Sequence, residues 1–133
     1  MRELSADVRL PDGAAAASAA RSAVRAVLLG WDLTDEDWVY DATLIVSELV
    51  SNAVRHGGGC LELRVRLDGD GRVVLTVSDR STRVPQRRHS DERTAGGRGI
   101  SFVDALAAGW SADVHRDGKD VWVRLAPYPQ APG

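Results

Sequence analysis

The sequence predicts an α+β fold, a two-layer α/β sandwich in which helices cover one face of a mixed, mainly antiparallel sheet. Two helical patterns follow one another in the first half of the chain, and two strand pairs joined by short glycine-containing turns come after them. Helices grouped between antiparallel strands favour packing on one side of a single sheet. The 133 residues, 44% of them hydrophobic, suffice for one core, so we expect a single domain over 1–133 with its core at about 5–125.

The first strand and the first helix are predicted from local patterns. A short β-prone run at 8–11 ends in a Pro-Asp-Gly turn signal, which is typical of a brief edge strand. From 14 to 29, small apolar residues recur at helical spacing, and Gly30 is placed to cap the C-terminus. The chain therefore opens as strand and then helix.

A second helix follows a capping signal. The hydroxyl of Thr34 is suited to cap the helix N-terminus, and Asp37 stands at the reciprocal capping-box position. The helix is expected to continue to about His56, because the glycines at 57–59 favour the left-handed backbone of a helix end.

The second half of the chain reads as strands around one long polar segment. Asp-Gly pairs at 68–71 predict an antiparallel hairpin, and a loop of about twenty residues with almost no apolar side chains is typical of functional or disordered segments. The predicted elements are strands at 60–67 and 72–78, a loop at 79–99, a helix at 100–106, strands at 111–115 and 120–125, and a loose, proline-rich tail at 127–133.

Charge and composition exclude several classes of protein. The formal net charge of −2 gives no overall attraction to nucleic acid or to an anionic membrane. Cys60 is the single cysteine, no signal-peptide core follows Met1, and no uncharged apolar run approaches the roughly 18 residues that span a bilayer. We expect a cytoplasmic protein that binds neither nucleic acid nor membrane.

Three polar residues share one stripe of the second helix. Glu48, Asn52 and His56 are spaced i, i+4, i+8, beside the apolar stripe. An amide oxygen of Asn52 is a plausible Mg²⁺ ligand, and Glu48 is positioned to accept a proton from an attacking hydroxyl in phosphoryl transfer. The alternatives are a polar helix margin, and for His56 a side chain that satisfies the last carbonyls of the helix.

Two further segments carry groups suited to a nucleotide. Asp79 ends a strand, where its carboxylate can accept a hydrogen bond from a purine amine or can simply start a turn. The segment 94–100 places three glycines before a short helix, where backbone N–H groups and Arg98 suit phosphate. A flexible hinge is the alternative for this segment.

The order of these elements resembles a known superfamily. Glu48-Leu-Val-Ser-Asn52-Ala-Val-Arg-His56, then Asp79 at a strand end, then Gly97-Arg-Gly99-Ile is similar to the GHKL ATPases, which include gyrases and histidine kinases. Within them it resembles the single-domain branch of anti-sigma factor serine/threonine kinases, many of them actinobacterial. The segments 107–110 and 118–122 are similar to the same branch.

The resemblance implies a Bergerat-type ATP pocket between helices and sheet, in one histidine-kinase-like ATP-binding domain. It implies Glu48 as the catalytic base, Asn52 on Mg²⁺ and Asp79 on adenine, with residues 80–98 as a lid. Ser81 is the small residue that replaces a glycine usual soon after that aspartate. The residues expected to bind the nucleotide are Asn52, His56, Asp79, Ser81, Thr94, Gly97, Arg98, Gly99 and Ile100.

Two functions fit this resemblance. The first is a serine/threonine kinase that uses ATP and Mg²⁺ to phosphorylate a small antagonist protein of the anti-anti-sigma type. The second is a non-catalytic module in which ATP stabilises a conformation that sequesters a sigma factor or another regulator. The resemblance also implies a homodimer as one state of such a protein. Loss of phosphotransfer with retained binding in Glu48→Ala separates the two functions.

Overall fold

The structure is a computed structural model that describes residues 3–56, 61–80 and 107–129. The expected helix at 100–106 and nearly all of the loop at 79–99 lie outside these ranges. The elements are β1 (Leu4–Arg9), α1 (Ala15–Gly30), α2 (Glu36–His56), β2 (Glu62–Leu67), β3 (Val73–Asp79), β4 (Ala107–His115) and β5 (Gly118–Leu125). The predicted α+β sandwich is confirmed.

The five strands form one open sheet in the order β1-β2-β3-β5-β4, and every described pair of neighbours is antiparallel. Burial alternates along the strands, so that one face is apolar and the other carries charged and polar side chains. The core lies between the apolar face and the two helices. The fully buried leucines and valines of this layer each contribute about 1.5–3 kcal/mol to stability.

The first strand was predicted too late in the chain. Instead of residues 8–11, β1 begins at Leu4 and pairs with β2 over its whole length, from Leu4 opposite Leu67 to Arg9 opposite Glu62. Its side chains alternate between half-buried and exposed, with Asp7 on the exposed side. Exposed charges such as Asp7 hide the alternation of apolar and polar side chains along β1. A half-covered edge strand has no strong apolar signature in the sequence.

The end of α1 differs slightly from its expected form. Gly30 is the last helical residue, and the Trp31 backbone N–H donates to the carbonyls of Val27 and Leu28. The left-handed residue is Asp32, at φ 64°, a conformation that aspartate tolerates better than most side chains. Gly30 is therefore not the cap.

The cap of α2 is Asp35 rather than Thr34. The Asp35 carboxylate oxygen Oδ1 accepts a hydrogen bond of 3.0 Å from the backbone N–H of Trp38. The backbone N–H groups of Thr34 and Asp35 instead donate to the phenol oxygen of Tyr128, at 2.9 and 2.8 Å. Aspartate is as good a cap as threonine, so the local pattern alone did not separate the two neighbours.

The tail begins with an anchored residue. The ring of Tyr128 packs edge-on against Trp38, with ring centroids 5.0 Å apart, and the Trp38 indole N–H donates to the carbonyl of Ala126. Residue 128 is thus fixed to the start of α2, contrary to a tail loose from residue 127 onwards. Residues 130–133 lie outside the described ranges.

Both predicted hairpins are present. The β2–β3 turn is closed by a hydrogen bond from the Asp68 backbone N–H to the Arg72 carbonyl, and the Arg72 N–H donates to Asp68 Oδ1. Gly71, at φ 88°, donates its N–H to the Asp68 carbonyl. A hydrogen bond with the Asp70 side chain, together with the Arg72 backbone N–H, lowers the pKa of Asp68. β4 and β5 extend beyond their expected bounds and are joined by the two residues at 116–117.

No helix within the described ranges combines the length and the apolarity that crossing a bilayer requires.

Candidate functional site

Three polar or charged residues are buried in the described parts of the chain, namely Asn52, Asp79 and Lys119. Two of them are residues that the sequence singles out. Every buried side-chain nitrogen or oxygen in those parts has a hydrogen-bond partner. Buried polar groups are costly unless they are satisfied, so each of these three is a candidate for a functional role.

Asp79 is the last residue of β3. It is in phase with Val73, Leu75 and Val77, whose side chains all lie in the apolar core. The carboxylate is therefore on the helix-facing side of the sheet, at the C-terminal end of β3. A buried acidic group therefore lies at the end of this strand.

Lys119 is the direct cross-strand partner of Asp79. Its Nζ lies 3.0 Å from Oδ1 and 3.0 Å from Oδ2 of Asp79, and the two side chains are 3% and 1% exposed. A buried ion pair of this geometry is costly to disrupt, since either charge would lose its nearest buried counter-charge.

Gly118 precedes the lysine and makes the pair sterically possible. A Cβ placed on Gly118 would collide with the backbone carbonyl oxygen of Asp79 and would come within 2.9 Å of the Arg80 Cα. Only glycine lets the first residue of β5 come this close to the end of β3.

The sequence reasoning missed Lys119 as a functional residue. It is the only lysine in the chain, and it is in phase with the apolar residues Val121 and Val123. A lone charge at an inward position of a strand is the signal that identifies such a residue, because a buried lysine needs a partner.

Asn52 lies on α2, one turn after Glu48. It is buried, and its amide oxygen Oδ1 accepts a hydrogen bond of 2.7 Å from Nη2 of the exposed Arg55. The oxygen that the sequence assigns to a metal ion is therefore in contact with a protein cation. Arg55 was not among the predicted site residues.

Glu48 is half-buried, between the buried residues Ile45 and Leu49 of the same helix. Its carboxylate shares the helix side of Asn52, as the spacing of four predicts. α2 also contacts β3, the strand that carries Asp79. The helix and the strand that bear the three predicted residues thus pack against each other.

The side chains of the other predicted site residues lie outside the described part of the chain. The backbone of His56 is the last turn of α2, and its side chain lies outside the described residues. The predicted positions Ser81, Thr94, Gly97, Arg98, Gly99 and Ile100 lie outside the described ranges altogether.

Comparisons with known proteins bear on this arrangement. Residues 10–125 match the family model of the histidine kinase-like ATPase domain. No curated protein matches the chain. The RsbU and RsbW domains of Rv1364c from Mycobacterium tuberculosis superpose with a TM-score of 0.70 at 21% identity, over 96% of this chain and 35% of that one.

Two further solved structures are similar. The SiaB–SiaC complex from Pseudomonas aeruginosa gives a TM-score of 0.65 at 11% identity, over 90% of this chain and 87% of the other. The histidine kinase domain of a blue-light activated histidine kinase from Erythrobacter litoralis gives 0.53 at 22% identity, over 68% of this chain and 45% of that one.

At identities of 22% or less, these structures show a shared fold. The chain corresponds to about a third of the Mycobacterium chain and to less than half of the Erythrobacter chain. The family match takes in most of the chain, including α1, α2 and all of β2, β3, β4 and β5. The chain belongs to the histidine kinase-like ATPase domain family.

Proposed function

We propose that this chain is one ATP-binding domain that binds ATP with Mg²⁺ and acts as a cytoplasmic serine/threonine kinase on a small regulatory protein. The observation that carries the proposal is the burial of Asn52 and Asp79 on facing elements of an ATPase-family fold. Family membership implies ATP binding, whereas the protein substrate and the metal are part of the proposal.

The residues present fit a magnesium ion shared with a nucleotide. Asn52 offers an amide oxygen at a buried position, and no group of three metal-ligating His, Cys, Asp or Glu side chains occurs in the described ranges. Mg²⁺ commonly takes one or two protein oxygens and completes its shell with phosphate oxygens and water. Asn52 would hold the ion, which would supply positive charge to the transferred phosphoryl group.

Asp79 would bind the base. Its carboxylate is an acceptor for the 6-amino group of adenine, and the strand end puts it at the rim between sheet and helices. The glycines at 97 and 99, with Ser81, Thr94, Arg98 and Ile100, would contact the phosphates and their surroundings, and His56 would border them.

Glu48 would act as the general base. It would accept the proton of a serine or threonine hydroxyl of the partner, whose oxygen then bonds to the γ-phosphorus of ATP. The bond from that phosphorus to the β–γ bridging oxygen breaks, and ADP leaves. Half-burial of Glu48 beside the buried Asn52 supports this role, because a general base must be near the phosphates and shielded from most of the solvent.

The partner is proposed from the similar structures. One of them is a two-protein complex and another contains an RsbW domain. A small antagonist protein of the anti-anti-sigma type is therefore the proposed substrate, with a sigma factor as a second binding partner and a homodimer as the binding form.

Label transfer tests the kinase proposal. Purified protein and its Glu48→Gln variant are incubated with ATP labelled on the γ-phosphate and an extract of the source cells, and labelled serine or threonine is identified by mass spectrometry. Binding of Mg-ATP is measured in parallel by calorimetry. A kinase transfers label only with intact Glu48, while both proteins bind ATP. Equal binding without transfer in either protein supports the non-catalytic, partner-sequestering module instead.

A further inference from the structure

The ammonium group of Lys119 occupies one side of the Asp79 carboxylate. Nζ is equidistant, at 3.0 Å, from Oδ1 and Oδ2 and donates a hydrogen bond to each. The oxygens of a carboxylate are about 2.2 Å apart, so a donor at equal distance from both bridges them and lies on the plane that divides the carboxylate. A ligand that approaches Asp79 therefore meets the flank of an oxygen and not the front of the carboxylate.

The front of a carboxylate is the side that two parallel donors use. Guanine presents a ring N–H and an exocyclic amine side by side, and a carboxylate can accept both at once, as it accepts the two parallel N–H groups of arginine. Adenine presents one exocyclic amine next to a ring acceptor, so it gives the carboxylate a single hydrogen bond. The position of Lys119 thus discriminates between the two kinds of base edge.

We propose that Lys119 is a specificity-determining residue that makes Asp79 accept one base amine and denies it the paired donors of guanine. The proposal rests on the function proposed above, in which Asp79 binds the base. Lys119 contacts the carboxylate and not the reacting phosphates, so it acts as a positioning residue.

Local backbone geometry fixes the lysine in this place. Asp79 and Lys119 are directly opposite in the β3–β5 register, so their side chains share the inner face of the sheet. Gly118 brings the start of β5 against the Asp79 carbonyl, which a Cβ would prevent. With a side chain that is 3% exposed, Lys119 has little room to move away from the carboxylate when a base enters.

A merely structural ion pair would stabilise the fold but would not read the base. The ratio of ATP affinity to GTP affinity separates the two roles, since a loss of stability alone weakens both nucleotides in proportion. The same ratio is insensitive to changes at the phosphates, which the two nucleotides have in common.

Calorimetry on the full chain supplies the test. Dissociation constants of Mg-ATP and Mg-GTP are measured for the wild type, for Lys119→Met and for Arg124→Met, a control that removes an exposed cation from the opposite face of β5. We expect the wild type to prefer ATP, Lys119→Met to lower that preference at least about tenfold, and the control to keep it. If Lys119→Met does not fold, Lys119→Leu, which likewise lacks a donor, carries the same expectation.

A second measurement needs no variant. Because the chain has one lysine, its side-chain ammonium gives a single assigned signal in isotope-labelled protein. We expect this signal to move on addition of Mg-ATP and to stay in place with Mg²⁺ and inorganic triphosphate, which lacks the base.

The outcomes are distinct. A wild type that binds ATP, with an ATP-to-GTP ratio unchanged in the Lys119 variants, overturns the specificity role and leaves the ATP site standing. A Lys119 ammonium signal that does not shift at saturating ATP also overturns the specificity role. A wild type that binds neither nucleotide overturns the proposed function together with this inference.

Discussion

Lys119 Nζ lies 3.0 Å from each carboxylate oxygen of Asp79, and the two side chains are almost completely removed from solvent. The pair joins the last residue of β3 to the second residue of β5. It therefore links the pairing of β3 with β5 at this end of the strands to the position of the Asp79 carboxylate, which we assign to the base of the nucleotide.

Loss of the lysine charge should cost stability. Lys119→Met removes the nearest buried counter-charge of Asp79, and breaking a buried pair from one side typically costs about 3–5 kcal/mol. Urea denaturation measures the change. The double variant Lys119→Met with Asp79→Asn removes both charges and should recover much of the loss. A single-variant loss below about 1 kcal/mol would mean that solvent compensates the charge, contrary to the burial found here.

Glycine is expected to be required at position 118. Gly118→Ala forces a Cβ against the backbone carbonyl of Asp79, so it should lower the free energy of unfolding by more than about 2 kcal/mol and weaken ATP binding as the strand end shifts. Gly109→Ala, in the adjacent strand β4, is the matched control, because a Cβ there meets nothing within 4 Å. Thermal denaturation of both variants tests this, and equal midpoints for the two alanine variants would refute the steric role.

The phenol of Tyr128 should contribute to the start of α2. Tyr128→Phe keeps the ring against Trp38 but removes the oxygen that accepts two backbone hydrogen bonds, at an expected cost of about 0.5–1.5 kcal/mol. Tyr40→Phe alters the other tyrosine of the chain, which is 61% exposed, and should leave stability unchanged. Indistinguishable unfolding curves for the two variants would show that the tail is not anchored in solution.

Arg55 is expected to compete with the metal for Asn52. Its guanidinium donates to Asn52 Oδ1 at 2.7 Å, and a second cation at that oxygen meets repulsion. Arg55→Ala should lower the Mg²⁺ concentration that gives half-maximal ATP binding by about two- to fivefold. Arg25→Ala removes an exposed cation from α1 and serves as the control. A Mg²⁺ requirement that is unchanged, or is raised by Arg55→Ala, would contradict competition at this oxygen.

Local patterns in the sequence predict most of the fold. The helical period gives α1 and α2 within one or two residues at their ends, and the Asp-Gly turn gives the β2–β3 hairpin. The predictions that were wrong concern choices between near-equivalent neighbours, such as Asp35 in place of Thr34 as the cap. The start of β1 was missed because its register depends on β2, where Leu67, the partner of Leu4, lies 63 positions further along the chain (67 − 4).

The candidate site was predictable where chemistry and spacing coincide on one element. Asn52 and Asp79 are buried, and their roles, like those of Glu48 and of the residues beyond position 80, stay predictions. Two contacts were not predicted, that of Lys119 with Asp79 and that of Arg55 with Asn52, and the reasons differ. Lys119 has a local signal, an inward charge on a strand, but its partner Asp79 is 40 positions away in sequence, and no local pattern encodes that contact. Arg55 is an exposed helical arginine of ordinary type, and only its contact with Asn52 distinguishes it.

The measurement to make first is the thermal midpoint of the protein with and without excess Mg-ATP, alongside Asn52→Ala. A ligand at about 100 times its dissociation constant stabilises the folded state by roughly 2.7 kcal/mol, which raises the midpoint of a domain of this size by several degrees. We expect that rise in the wild type and its loss in Asn52→Ala. Equal midpoints with and without millimolar Mg-ATP in the wild type would contradict nucleotide binding at this site.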